Sequence, residues 1–239
     1  MCAITMRMPN PRVGSLNEKP LHRALKEAYA RPGDQLEAAV GPYVVDILRG
    51  SHIIEIQTRH FSAIKRKVHA LIEEHDLVLV IPVAETRRIV KLPPAGDGTE
   101  TSRRSPRRGS AVDVFDELVS FPQLVTHPRF AVEVALTCEE EVWRRDVPRG
   151  WRRHGWVVDH RRLVEVVGRV CLASAADLAG LLPAGLLAPF TTSDLAEAIG
   201  RPRHLAQKMA YCLASTGAIV PVRRDGNAIR YVPVDPDRQ

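Results

Sequence analysis

Eight consecutive residues with no polar side chain, LVLVIPVA at 77–84, constrain the fold more than any other stretch. A strand that alternates apolar and polar residues needs cover on one face; an unbroken apolar run needs it on both. The chain is therefore expected to build a sheet sandwiched by helices, an α/β fold. The residues around this run agree. SLNEKPLHRALKEAYA reads as a helix, with Ser15 as N-cap, Glu18 at the capping-box spacing, and Leu21, Leu25 and Ala28 on one side. QLEAAV, YVVDILRG and HIIEIQT read as three short strands, the first two broken by Gly41-Pro42. FSAIKRKVHALIEEH places Phe61, Ile64, Val68, Leu71, Ile72 and His75 on one helical stripe. The order predicted over residues 1–92 is α-β-β-β-α-β.

Beyond it, residues 93–111 lack large apolar side chains and are rich in Pro, Gly, Ser and Arg, as in a linker or mobile loop. Residues 112–170 are expected to form a mixed α+β middle region. They contain WRRDVPRGWRRHGW at 143–156, which holds all three tryptophans and reads as a packing or interface motif. Residues 171–239 show two short helices, TTSDLAEAIG and RPRHLAQKMAYCLASTG, then a hairpin with Asp225-Gly226-Asn227 at its tip. The four cysteines are scattered without a CxxC pair, which argues against a structural zinc and a disulfide framework. With no signal-peptide pattern and no apolar run long enough to cross a bilayer, a soluble cytoplasmic protein is expected, with no membrane partner. The net charge of +6 suits a polyanionic partner, and the 5% aromatic content excludes widespread base stacking. No Ser-His-Asp order, phosphate-binding glycine loop or dinucleotide fingerprint is present. His22, His52, His60 and His69 read as surface or packing residues.

Asp46, Glu55 and Gln57 are the anomaly, because they interrupt strands otherwise built of Val and Ile. Side chains alternate along a strand, so Glu55 and Gln57 share a face that Ile54 and Ile56 do not. The short RGSH connection can bring Asp46 beside Glu55. Two such carboxylates repel, and a hard divalent cation relieves the repulsion. The bland alternative is an edge strand with polar residues facing solvent.

In this pattern residues 14–84 resemble the PD-(D/E)xK nuclease superfamily, with its restriction-endonuclease-like core. The resemblance implies a Mg²⁺- or Mn²⁺-dependent endonuclease acting on nucleic acid, with DNA as the expected substrate, and a possible homodimer. It implies that Asp46 and Glu55 bind the metal, with the Ile56 carbonyl as a further ligand and Glu18 in support. Gln57 stands where the family usually has Lys. Lys65 or Lys67 of the next helix would supply the missing charge; Lys65 is favoured, lying about 20° beyond the apolar stripe. Residues 171–239 resemble a winged helix-turn-helix module. That implies DNA contacts from Arg201, Arg203, His204, Gln207 and Lys208 on its second helix and from Arg223, Arg224 and Arg230 on the wing. The alternative left open is a non-catalytic nucleic-acid-binding or protein-interaction module on a degenerate nuclease scaffold.

Overall fold

The computed structural model describes residues 19–58, 61–93 and 99–234. Ser15 and Glu18 lie outside them, as do Arg59 and His60. Helix α1 (Pro20–Tyr29) starts at a proline, whose fixed φ suits the first helical turn, and it buries Leu21 and Leu25. Strands β1 (Gln35–Val40), β2 (Tyr43–Arg49) and β3 (His52–Ile56) follow as an antiparallel meander. Both connections are two-residue hairpins, Val40↔Tyr43 and Arg49↔His52, and each opens on a glycine in the left-handed region: Gly41 at φ 57° and Gly50 at φ 61°. Helix α2 (Phe61–Leu71) crosses over to β4 (Asp76–Lys91), which runs parallel to β3. This is the order α-β-β-β-α-β expected from the sequence.

β4 is twice as long as the apolar run suggested, because its second half pairs with elements the sequence reading kept apart. Within 93–111, Thr101–Arg104 form β5, antiparallel to β4. The chain then returns so close to β4 that a Cβ on Gly109 would lie 2.6 Å from the Ala84 carbonyl oxygen. After the short helix α3 (Phe115–Leu118), β6 (Phe130–Arg145) runs parallel to β4, and β7 (Trp156–Leu172) runs antiparallel to β6. The sheet order is β1-β2-β3-β4-β6-β7, with β5 also on β4. The first and middle stretches are therefore one mixed sheet, with no boundary at 92 or 112.

Its two faces carry different cores. On one side α1 packs Leu21 and Leu25 against Ile47, Ile54, Ile56 and Val80. On the other, α2 and α3 cover Val45, Ile53, Leu77, Leu79, Val132 and Val134. Both faces of β4 are thus covered, as its apolar run requires. The C-terminal elements join the second core. They are α4 (Ala175–Ala179), α5 (Thr192–Ile199), α6 (Arg203–Ser215) and the hairpin β8 (Ile219–Asp225) with β9 (Ala228–Pro233). Phe190 bridges to Tyr231 beside that hairpin. Phe190, Leu195, Leu205, Met209 and Leu213 belong to the same buried cluster as the strands, so the C-terminal module is packed onto the sheet. Among the described residues no helix is long and apolar enough to cross a membrane.

Candidate functional site

In a regular strand Val45 and Ile47 would share a face. Here Val45 joins the α2-side core and Ile47 the α1-side core, so β2 changes face at Asp46. Its neighbour β1 is irregular at the same level: Glu37 has φ 50°, between the pairs Leu36↔Ile47 and Ala38↔Val45. A left-handed non-glycine residue costs energy and persists only when its surroundings hold it. The Lys26 ammonium, on a residue only 6% exposed, does so by donating to Glu37 Oε1 at 2.8 Å.

Beyond Ile47↔Ile54 the β2–β3 pairing stops, although both strands continue. Side chains take over the freed backbone groups. The Ile56 N–H donates to Asp46 Oδ2 at 2.8 Å, and the Asp46 N–H donates to Glu55 Oε2 at 3.4 Å. The two carboxylates therefore meet in the gap between the separating strands. Lys67 of α2 donates to Glu55 Oε1, and His22 Nε2 of α1 lies 3.2 Å from Asp46 Oδ2. Each flanking helix thus sends one basic group to the pair.

Burial, and then the adjacent Asp46 charge, push the Glu55 carboxyl above the usual range, against the pull of Lys67. Burial also pushes Asp46 upward, but the hydrogen bond and charge of His22, the Ile56 N–H and the Lys67 charge outweigh it and hold Asp46 low. The pair is one group easily ionised and one that resists. Gln57 follows directly after β3, its N–H donating to the Val80 carbonyl at 3.0 Å. Among the described residues no three His, Cys, Asp or Glu side chains gather closely enough to hold a metal. A cation at Asp46 and Glu55 would need its other ligands from backbone, water or substrate, the habit of Mg²⁺.

The sequence candidates divide here. Asp46, Glu55, Ile56 and Lys67 are brought together. Lys65 is not: it lines a separate hollow with His69, Phe121 and Tyr211. The apolar stripe is flanked by a lysine on each edge, and which edge faces the strand gap depends on how α2 sits on the sheet. Glu18 is outside the described residues. His22, read from sequence as surface or packing, is the missed neighbour; it lies one helical turn before Lys26, but nothing in its spacing pairs it with Asp46.

On the C-terminal module, two candidate DNA contacts are tied to the core instead. Arg201 Nε donates to Asp113 Oδ1 at 2.7 Å and its Nη2 reaches the Arg108 carbonyl and Ser110 at 3.0 Å. Lys208 pairs with Asp116 at 2.9 Å. Arg203, His204 and Gln207 remain on the exposed face of α6. On the hairpin, Arg223 and Arg230 both pair with Asp225 at its tip, while Arg224 is exposed.

A cleft of about 800 Å³ opens just past Gln57, between the sheet and the start of α6. Thr58, Arg87, Arg107, Arg161, Arg201 and His204 line it, along with the acids Asp113, Asp116 and Glu117. Arg87, Arg107 and Arg161 also line a second hollow of about 490 Å³ further along β4.

Fold and site define a mixed α/β protein whose splayed strands hold a carboxylate pair beside a basic cleft. The chain belongs to the family described as a domain of unknown function (DUF8091), whose model matches residues 19–173. It is similar to an uncharacterized protein of Treponema pallidum (strain Nichols), 28% identical over 189 residues, covering 77% of this chain and 74% of that protein. No solved structure matches it.

Proposed function

We propose that this chain is a divalent-metal-dependent nuclease that hydrolyses phosphodiester bonds of DNA. It would do so on a restriction-endonuclease-like core with a C-terminal winged-helix-like module. The observation that carries this reading is the meeting of Asp46 and Glu55 where β2 and β3 separate, with Lys67 beside them. The α-β-β-β-α-β order, with the Asp on the second strand and the Glu on the third, supports it. The order α4, Phe190 bridge, α5, α6, hairpin supports the winged-helix part.

Two hard-oxygen groups pressed together fit a cation such as Mg²⁺ or Mn²⁺, because burial and then the Asp46 charge raise the Glu55 pKa, and a cation would offset both. Asp46 and Glu55 would hold it, with the Ile56 carbonyl, and it would supply Lewis-acid stabilisation of charge on the scissile phosphate. Lys67 takes the part of the lysine that position 57 lacks: its ammonium offsets charge developing on the phosphate. Gln57, the residue directly after β3, aligns the attacking water. His22 braces Asp46 from α1 and favours its ionised form. Arg203, His204 and Gln207 on α6 and Arg224 on the hairpin remain available for nucleic acid.

A second reading, a non-catalytic nucleic-acid-binding module on the same scaffold, is favoured by the partners both carboxylates already have. Cleavage of plasmid and linear duplex DNA in Mg²⁺ and Mn²⁺ separates the two. Glu55→Gln is expected to abolish metal-dependent cleavage while duplex binding stays near wild type. Lys67→Met should lower kcat by about 10²–10³-fold, and Lys65→Met should leave it unchanged. A wild-type protein that binds DNA but never cuts it, or a Glu55→Gln variant that cuts equally well, would overturn the nuclease reading.

A further inference from the structure

Beyond the body of the sheet, β4, β6 and β7 continue as a ribbon, with β5 along one edge and the 146–155 turn at its tip. Segments 85–93, 99–108 and 139–162, which build this arm, hold 14 Lys and Arg against 7 Asp and Glu. That excess of seven accounts for the whole of the chain's net charge of +6.

Five of the arm's seven described acids are already matched. Glu139 and Glu141 lie 3.6 and 3.4 Å from Arg87, Asp146 and Asp159 lie 3.3 and 2.9 Å from Arg144, and Glu140 lies 4.0 Å from Arg162. Arg103, Arg104 and Arg107 near the edge, and Arg145, Arg149 and Arg152 near the tip, are exposed and have no acidic partner among the described residues. Arg104 stands directly across from Arg88, a like-charge cross-strand pair that costs stability unless an anion sits over it. At the arm's base the Nε atoms of Arg87 and Arg161 are buried without a hydrogen-bond partner among the described residues, Arg161 Nε lying 3.7 Å from Glu141 Oε2. Both arginines line the cleft that Thr58, the residue after Gln57, also lines. At the tip Trp151 is 70% exposed and carries the Arg152 guanidinium 4.8 Å from its ring centroid, which limits the freedom that side chain must lose on binding.

We propose that this arm is the surface that grips duplex DNA by its phosphates and feeds it along the Arg87–Arg161 cleft toward Asp46 and Glu55; the identity of the polyanion rests on the nuclease reading above. Seven ribbon residues span about 23 Å, a length that runs past about seven phosphates of one strand. Guanidinium groups read phosphate without sequence. Exposed aromatic side chains are too few on the arm to stack successive bases, which favours a duplex over a single strand. The C-terminal module, whose Arg201 and Lys208 are spent on Asp113 and Asp116, holds to the core and contributes little to affinity.

The test is binding to a labelled DNA duplex of about 24 base pairs, long enough to pass the strip, in EDTA over a salt series. The proteins are wild type, Arg103→Ser/Arg104→Ser, Arg149→Ser/Arg152→Ser and Arg203→Ser/Arg224→Ser. All remove exposed side chains, and melting temperatures verify the fold. Each arm pair is expected to weaken binding about 10-fold and to lower the slope of log affinity against log salt by about one for each phosphate no longer neutralised. The Arg203/Arg224 pair is expected to change affinity less than about 2-fold. Arm variants that bind as wild type, or a loss confined to the Arg203/Arg224 pair, would overturn the proposal. Equal affinity for an RNA duplex or heparin would overturn the assignment to DNA. Because chelator removes hydrolysis from the readout, the binding result stands or falls apart from the cleavage result.

Discussion

Ionising Glu55 in the folded protein works against its surroundings, since burial and the Asp46 charge hold its carboxyl high. A raised carboxyl contributes stability that is complete below the ordinary glutamate value and is lost as pH climbs through the folded value. Asp46, held low, does the reverse: its contribution is present above the ordinary aspartate value and is lost as pH falls through the folded one. Glutamine mimics the protonated Glu55. The melting temperature of Glu55→Gln relative to wild type should therefore rise between about pH 4 and about pH 7. A difference that falls over that interval would contradict the assigned direction. At this scale the sequence was informative about the acids and less so about the bases. Asp46 and Glu55 stood out because charged residues in apolar strands need a reason. The choice of Lys67 over Lys65, and the presence of His22, depend on how two helices lie against the sheet, which local periodicity does not encode.

The change of face in β2 is a property of three strands together. Glu37 takes a left-handed conformation, Asp46 changes the face of β2, and β3 loses its pairing with β2 after Ile54. The order of these elements is legible from apolar spacing and turn residues, but the change of face is not, because it arises between strands. For the same reason β5 has no strand signal in the sequence: TSRR has no apolar residue, and it is a strand only because β4 offers an edge. Helix α6 makes a parallel case. The basic residues on it and just before it read as a DNA-facing set, yet Arg201, two residues ahead of the helix, is tied to Asp113 and to two groups of the 108–110 segment. Arg201→Met should destabilise the protein by about 1 kcal/mol, and a double-mutant cycle with Asp113→Asn should show coupling of about 0.5–1 kcal/mol. Independent effects of the two substitutions would mean that the contact does not clamp α6 to the core.

At the scale of the molecule, charge and packing divide the work. One apolar cluster joins the α2 side of the sheet to the C-terminal module, so the three regions suggested by composition fold around shared cores. Composition could not show this, because Thr101–Arg104 and Gly109, in the Pro- and Arg-rich stretch that resembles a linker, lie against β4. The net charge was visible from the outset, but its confinement to one ribbon required the pairing of β4, β6 and β7. Two acidic side chains at the strand gap form the proposed site for a divalent cation, and titration calorimetry of the full chain with Mn²⁺, beside Asp46→Asn and Glu55→Gln, tests that assignment. Wild type is expected to show saturable one-site binding that both substitutions remove. Absence of binding to wild type, or undiminished binding to both variants, would contradict it.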